Sequence, residues 1–513
     1  MTCTPDDPTA IALGDWIHHQ ADKGPDRTAI SFGDHVLSYR AFADRIGQLT
    51  SGLRQKAGLK HGDRIAYLGH SHPDLLTLVF AAARLGLIVV PLNWRLARPE
   101  HQAILADADP ALLLVDARFT GEAEAMSAEP GSWRPIGLGF QRSGWLSVDD
   151  LLMDDGNTAM AGMASDPLLL VYTSGTTGAA KGAVLTQDAV RWNAANSVDM
   201  HDLTCEDRIL TSLPLFHVGG LNIQTLPALA VGAEVFLEAR FDPSTTFETI
   251  VRARPTQTVL VPAMMKALID HPDFEDTDLS SLRQITTGSS IVPVELIQAF
   301  HDRGIPVTQV YGTTETAPIA VYQRRADAFR TIGSSGEVAK HGEMRLADDA
   351  GRAVDAGQPG EIQIRGPQVM TGYWNNPAAT EEAFAGDWFR TGDVGRMDQD
   401  SRLWVEARKD DLIKSGSERI YPAEIEDILR AVDGVADVAV IARTDPTWGE
   451  VPVAVVQPAA GCEPDADKLL QGLDGRIARF KRPKEVIFVD SLPRSALGKV
   501  LRYRLRAALD RRD

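Results

Sequence analysis

From about residue 60 onward the chain alternates short apolar runs with helical patterns, and this constrains the fold more than any other feature. Apolar runs of this length suit strands buried on both faces, and intervening helices supply the crossovers that parallel strands need. The pattern therefore predicts an α/β architecture. Arg64–Leu68 reads as a strand, Pro73–Leu85 as a helix with proline in its first turn, and residues 87–90 as the next strand. The unit recurs where residues 258–261 enter a helix at Pro262, and Val307–Tyr311 is a strand running into the loop GTTET. The most apolar stretch, LLTLVFAAARLGLIVVPL at 75–92, carries Arg84 in its middle and ends in proline, so a buried helix followed by a strand explains it better than a membrane span.

With 513 residues, 44% of them hydrophobic, the chain exceeds one compact core, and two or more domains are expected. After Gly360 the alternating EIQIRG suggests a more exposed, antiparallel strand, and Gly and Asp become frequent toward residue 410, where a domain boundary is expected. Beyond it, residues 422–429 have helical spacing and VADVAVIA, VPVAVV and EVIFV read as strands, which predicts a small α+β domain. The 52 Lys and Arg against 70 Asp and Glu leave a net charge of −18, which argues against nucleic acid or anionic membrane and for small-molecule partners. The opening MTCTPDDPTA has no basic region followed by an apolar core, so a cytoplasmic location is expected. Cys3, Cys205 and Cys462 lie far apart, without a CxxC pair, and read as inert thiols rather than a disulfide framework or a zinc site.

The stretch YTSGTTGAAKG at 172–182 sits at the end of an apolar strand, where bare backbone N–H groups and hydroxyls can surround an anion and Lys181 adds a point charge. It is not a Walker loop, because Ala180 and Gly182 stand where that motif needs Gly and Ser or Thr. The GAVLT that follows reads as another strand, with Thr186 capping a helix only afterwards, so no helix N-terminus underlies the loop. Taken alone, these residues fit a surface turn as well as a phosphate cradle.

In chain order there follow LPLFHVGG at 213–220, YGTTET at 311–316, GEIQIRG at 360–366, WFRTGD at 388–393, ARKDDLIKSGSERIYP at 407–422 and PRSALGKVLR at 493–502. This series resembles the acyl-adenylate-forming superfamily of acyl-CoA and aryl-CoA synthetases, luciferase and peptide-synthetase adenylation domains, most closely the AMP-forming acyl-CoA synthetases. The resemblance implies a large multi-subdomain N-terminal α/β domain (1–409) that binds ATP and a carboxylic acid, and a small mobile α+β C-terminal domain (410–513) hinged near Asp410. It implies attack of a carboxylate on the α-phosphate of ATP, then attack of CoA on the acyl-adenylate. Both steps build negative charge, so positioned cations and donors matter more than a strong base.

Carried over by position, Thr173, Ser174, Gly175, Thr176, Thr177, Gly178 and Lys181 cradle the leaving phosphates, and Glu315 holds Mg²⁺ with phosphate oxygens and water. Tyr311 flanks the adenine and opens the ATP-binding loop Gly312, Thr313, Thr314; Asp393 accepts from the ribose hydroxyls and Arg408 contacts the same sugar. Lys499 bridges carboxylate and α-phosphate, and His217 lies beside the reacting acid. The acyl pocket, for a medium-chain aliphatic or aromatic acid, is implied near Trp192, Val218, Gly219, Leu221, Asn222, Gly288 and Pro318, with both glycines of HVGG leaving room for a sizeable group. CoA falls to Ser415, Gly416, Trp448, Phe480, Arg482 and Lys484, with Arg95 a further candidate for its phosphates.

The chain departs from the family pattern at Ala180, where proline is usual, at Ala407 and at Ser417, where glycines are usual. Ser417 bears on the pantetheine path. A carrier-protein-loading enzyme is the alternative, with a non-catalytic nucleotide-binding homologue behind it; no phosphopantetheine attachment domain is fused here, and Trp448 with FKRPK at 480–484 favours free CoA. A homodimer is left open as the assembly.

Overall fold

The computed structural model describes residues 6–127, 133–154, 161–174, 180–290, 292–415, 418–445, 449–474, 476–477, 479–495 and 498–509. The chain forms two compact units, one of residues 1–344 and 364–389 and one of residues 345–363 and 390–513. The division falls ahead of residue 410 because the segment 390–408 bonds to 345–363: Thr391 Oγ1 donates to the Ile362 carbonyl at 2.8 Å, and Arg390 pairs with Glu361 at 3.2 Å.

The first unit is built on two sheets. In one, the strands Ile88–Leu92, Arg64–Leu68, Leu112–Asp116 and Arg134–Leu138 run parallel, with Pro167–Ser174 joining Ile88–Leu92 in parallel and Ala180–Thr186 returning antiparallel. Successive residues feed opposite faces: Ile65 and Tyr67 enter one core, Ala66 and Leu68 another. Both faces are therefore apolar, as parallel strands covered on both sides require. The other sheet sets Arg208–Thr211, Gln257–Val259, Gln284–Thr287 and Val307–Tyr311 side by side and parallel.

The helix Pro73–Leu85 and the strand Ile88–Leu92 account for the apolar stretch 75–92. His72 Nδ1 accepts from Asp74 N, and Gly86 ends the helix at φ 68°, a left-handed position that glycine adopts without strain. Every residue of the helix but Arg84 is buried, and Arg84 pairs with Asp15 at 3.1 Å. Each Leu, Val or Phe withdrawn from water there adds about 1.5–3 kcal/mol. Among the described residues no helix is long and apolar enough to cross a membrane.

In the second unit Gly449–Pro458 pairs antiparallel with Val435–Asp445 and with Ile413–Ser415, and parallel with Glu485–Phe488. Pro422–Arg430 packs on one face through Ile425 and Leu429, and Arg502–Leu509 on the other through Leu505, which is the α+β arrangement expected.

Two expectations are corrected. The strand Gly360–Arg365 is buried rather than half-exposed, because Arg390 pairs with Glu361 and Arg345 donates to Gln363 at 2.8 Å, satisfying the polar side chains that suggested an exposed face. Cys205 is disulfide-bonded instead of a separate thiol, since separation in sequence does not measure separation in space; Cys462 is free and exposed.

Candidate active site

The loops after three strands of the second sheet in the first unit carry candidate residues. His217 follows Arg208–Thr211, Gly288 follows Gln284–Thr287, and Glu315 follows Val307–Tyr311. Carboxyl ends of neighbouring parallel strands are where open α/β sheets bind ligands. The strand Pro167–Ser174 pairs with Ala180–Thr186 so that Thr173 is the register partner of Lys181 and Ser174 of Ala180. Thr186 caps the next helix by accepting from Ala189 N at 3.0 Å, as its sequence position suggests.

Lys181 and Glu315 meet across Tyr373. The Lys181 ammonium lies 5.4 Å from the Tyr373 ring centre, and the Tyr373 hydroxyl donates to Glu315 Oε1 at 2.9 Å. Glu315 is 9% exposed, and its backbone carbonyl accepts from Met370 N at 2.8 Å. A cation and a carboxylate thus share one small region, as a phosphate and a divalent ion together would require. Among the described residues no three His, Cys, Asp or Glu side chains cluster as a metal cage. A single hard carboxylate fits Mg²⁺, which keeps several waters and takes oxygens from phosphates.

Tyr311 is nearly buried at its strand end, and a Cβ on Gly312 would lie 1.8 Å from the Pro318 carbonyl oxygen. Glycine is therefore needed for the loop Gly312–Thr313–Thr314 to pass. Thr313 N donates to Thr316 Oγ1 at 2.9 Å, closing the turn that carries Glu315.

His217 caps the turn Val218–Gly220 by accepting from Gly219 N at Nδ1, 3.4 Å away, which leaves Nε2 as the donor. Burial pushes its imidazole down to about 4, so it is neutral at pH 7 and can orient an acid by donation but brings no charge. Val218, Leu221 and Asn222 are buried. Asn222 Nδ2 donates to the Ala317 carbonyl at 3.2 Å, while Asn193 donates to the Asn222 carbonyl at 2.7 Å and accepts from Ile319 N at 3.0 Å. These amides tie the helix Gln187–His201, the HVGGLN segment and the loop through Pro318 into one frame. Trp192 packs on His341 with ring centres 5.1 Å apart.

The glycines differ in kind. A Cβ on Gly219 would touch only side-chain atoms at 3.7–3.9 Å, whereas one on Gly220 would lie 2.3 Å from the Pro214 carbonyl and one on Gly288 2.4 Å from the Val310 carbonyl. Of the two glycines in HVGG, Gly219 could carry a methyl at ordinary contact distance and Gly220 is fixed by backbone packing, which corrects the expectation that both leave room.

In the second unit Asp393 and Arg408 are register partners and pair at 2.9 Å. Burial lowers the Lys499 ammonium from the usual lysine range; the Arg408 charge lowers it further, and Asp393 and Asp411 oppose. Asp410 is the middle residue of the turn Lys409–Asp411. Ser415 is a register partner of Gly449. Arg482 pairs with Asp474 at 2.6 Å, Lys481 pairs with Glu424 at 2.7 Å, and Lys484 is the exposed cation of that run. Gly175, Thr176, Thr177, Gly178, Gly416, Ser417 and Trp448 lie outside the described residues, and Ser174, Asp410 and Phe480 are described by backbone alone.

Sequence reasoning missed Tyr373 and Asn193, whose partners lie 58 and up to 126 residues away in the chain. It also missed an aromatic cluster at the carboxyl ends of Arg64–Leu68, Ile88–Leu92 and Leu112–Asp116. His70, Trp94 and Phe119 pack with ring centres 4.7–5.9 Å apart, and Arg95 lies 4.7 Å over Trp94. The motif NWR was the available signal.

Residues 17–374 match the profile of the AMP-binding enzyme family, and residues 424–499 that of the AMP-binding enzyme C-terminal domain. An indoleacetate–CoA ligase from Aromatoleum aromaticum is 48% identical over 98% of this chain and 99% of its own. A feruloyl-CoA synthase from Amycolatopsis sp is 40% identical over 96% of this chain and 98% of its own. The crystal structure of the anthranilate CoA ligase AuaEII in complex with anthranoyl-AMP superposes with a TM-score of 0.90 at 27% identity, covering 98% of this chain and 99% of that one.

Proposed function

Since this chain belongs to the AMP-binding enzyme family and is an AMP-forming acid–CoA ligase that uses ATP, Mg²⁺ and CoA, we propose that the acid it activates is aromatic, with the bulk of indoleacetate rather than of acetate. The observation that carries this is Gly219, where a side-chain methyl would meet only side-chain atoms, at 3.7–3.9 Å, beside the buried Val218 and Leu221 and the neutral His217. A flat ring suits apolar walls that can yield side chain by side chain, and the relatives named for indoleacetate and ferulate are named for aromatic acids.

In this reading Thr173, Ser174, Gly175, Thr176, Thr177, Gly178 and Lys181 hold the leaving phosphates. Glu315, steadied by Tyr373, holds Mg²⁺, which when bound offsets phosphate charge. Neutral His217 donates from Nε2 to orient the acid. Tyr311 and Gly312 to Thr314 take the adenine side, and Asp393 with Arg408 takes the ribose. Lys499 supplies a fixed positive charge as the α-phosphate gains negative charge, so the acyl-adenylate forms and pyrophosphate leaves. Thioester formation is assigned to a different face of the segment 410–513 that turns at Asp410, through Ser415, Gly416, Trp448, Phe480, Arg482 and Lys484. Arg95 over Trp94 suits the CoA nucleotide, whose phosphates want a cation and whose base wants a ring. A cytoplasmic location belongs to the same reading, and light scattering decides between monomer and homodimer.

The test is pyrophosphate release with indoleacetate, ferulate, anthranilate, benzoate, hexanoate and acetate. The expected result is the highest kcat/KM among the aryl acids. A preference for hexanoate or acetate overturns the assignment.

A further inference from the structure

Lys499 stands in a tight turn. Ser495 N donates to the Lys499 carbonyl at 2.7 Å, Lys499 N donates to Ser495 Oγ at 3.1 Å, and Gly498 N donates to the Ser495 carbonyl at 2.9 Å with Gly498 at φ 80°. The chain then enters the helix Arg502–Leu509. Its first side chain, Arg502, donates to both oxygens of Glu426, at 2.6 and 2.9 Å, and to Asp411 Oδ2 at 3.4 Å. One helical turn later Arg506 donates to Asp411 Oδ1 at 3.1 Å. Glu426, in the helix Pro422–Arg430, is 6% exposed and also accepts from Val440 N at 2.7 Å.

The two carboxylates and two guanidinium groups balance in charge and form a ladder from Asp411, one residue past Asp410, to the root of the Lys499 turn. A guanidinium fork on a carboxylate fixes direction as well as distance, which a lone lysine stem cannot do for itself. Lys499 is a flexible four-carbon chain whose ammonium feels the charges of Arg408, Asp393 and Asp411. Its usefulness at a phosphate depends on where its root is held, because small misplacements at a reacting centre cost about a hundredfold in rate.

We propose that Arg502, gripped by Glu426 and Asp411, is a positioning residue for Lys499. This rests on the reading of Lys499 as the adenylation lysine.

The test uses the full-length enzyme and the variants Lys499→Ala, Arg502→Met, Arg502→Lys, Glu426→Gln and the double variant Lys499→Ala with Arg502→Met. Adenylation from ATP and acid, and thioester formation from supplied acyl-adenylate and CoA, are each measured in single turnover, with thermal melting alongside. Arg502→Met is expected to slow adenylation on the order of 10–100-fold with KM for ATP nearly unchanged, while the thioester step stays within about threefold. Arg502→Lys should restore part of the loss. The double variant should be no slower than Lys499→Ala alone, because a residue acting through Lys499 has nothing left to position. Should Arg502→Met fail to fold, Glu426→Gln carries the same expectation in milder form, since the amide oxygen it introduces can still accept from Val440 N. Equal loss in both half-reactions, or additive losses in the double variant, overturns the proposal. Normal adenylation by Lys499→Ala instead overturns the underlying reading of the lysine.

Discussion

The frame around His217 in the first unit and the Lys499 region of the second are held by different forces. Around His217 the fixing is neutral: amide hydrogen bonds from Asn193 and Asn222, close backbone approach at Gly220, Gly288 and Gly312, and an imidazole that burial keeps uncharged. Around Lys499 it is ionic, with Asp393 on Arg408 and with Glu426 and Asp411 on Arg502. The difference suits the roles proposed for the two regions. A pocket for an apolar ring gains from walls that bring no charge, whereas a group that steadies a phosphoryl transition state must carry charge and hold it in place.

The largest expected effect tests the ionic side. Lys499→Ala should slow adenylation by about 10²–10³-fold or more, the loss of one preorganised charge, yet leave conversion of supplied acyl-adenylate and CoA to thioester near the parent rate. If both half-reactions slow together, the charge is not specific to the first step and the contrast between the regions fails.

Next comes Glu315, a charge placed among neutral partners. Glu315→Gln keeps the shape and removes the ionised oxygen; it should raise the Mg²⁺ needed for half-maximal adenylation more than Tyr373→Phe does. Tyr373→Phe removes only the supporting hydroxyl and should cost about tenfold in metal affinity. An unchanged Mg²⁺ titration for Glu315→Gln rejects it as the ligand.

Much of this contrast was legible in the sequence, and the rest was not for identifiable reasons. The helix Pro73–Leu85 is marked at both ends, by proline in its first turn and by Gly86 in the left-handed conformation, and Val307–Tyr311 is an apolar run that stops at a loop. Motif order singled out Lys181, Glu315, Asp393, Arg408 and Lys499 as candidates. Sequence could not show that Glu361 and Gln363 are buried, because their partners Arg390 and Arg345 sit elsewhere in the chain. Nor could it separate Gly219 from Gly220, since only packing against the Pro214 carbonyl distinguishes them. Tyr373 stayed hidden because its role depends on a partner that the local pattern does not name.

A third expected effect concerns the neutral side under acid. His201, fully buried, accepts from Thr286 Oγ1 at Nε2 and donates to the Ser197 carbonyl from Nδ1, both at 2.9 Å, and burial pushes its imidazole down to about 4. In the unfolded chain the same ring takes a proton near pH 6.5. Between those values the unfolded state binds the proton and the folded state does not, so stability falls as pH drops from 6.5 to about 4, by on the order of 3 kcal/mol. His201→Gln keeps one donor and one acceptor without the titration, and should flatten the fall of Tm across that window. An unaltered slope rejects His201 as a source of acid sensitivity.

The smallest effect is the sharpest probe of the neutral frame. Gly219 lies in a short helical turn, and an added methyl would meet His217 Nδ1, Leu213 and Ile223 at ordinary contact distances of 3.7–3.9 Å. Gly219→Ala should therefore fold as well as the parent, gaining up to about 1 kcal/mol because alanine favours helix over glycine. The methyl occupies the space assigned to the ring, and a single methyl in a hydrophobic pocket is worth about 1–3 kcal/mol in discrimination. The ratio of kcat/KM for indoleacetate to that for acetate should fall several-fold, and Gly219→Trp should extend the shift toward short acids. Gly220→Ala serves as the contrast: its methyl would lie 2.3 Å from the Pro214 carbonyl, so it should lower Tm whatever acid is assayed. If Gly219→Ala and Gly219→Trp both leave the acid ratio unchanged while Gly220→Ala destabilises as expected, the packing is right but the pocket lies elsewhere, and the neutral frame around His217 serves the fold rather than the acid.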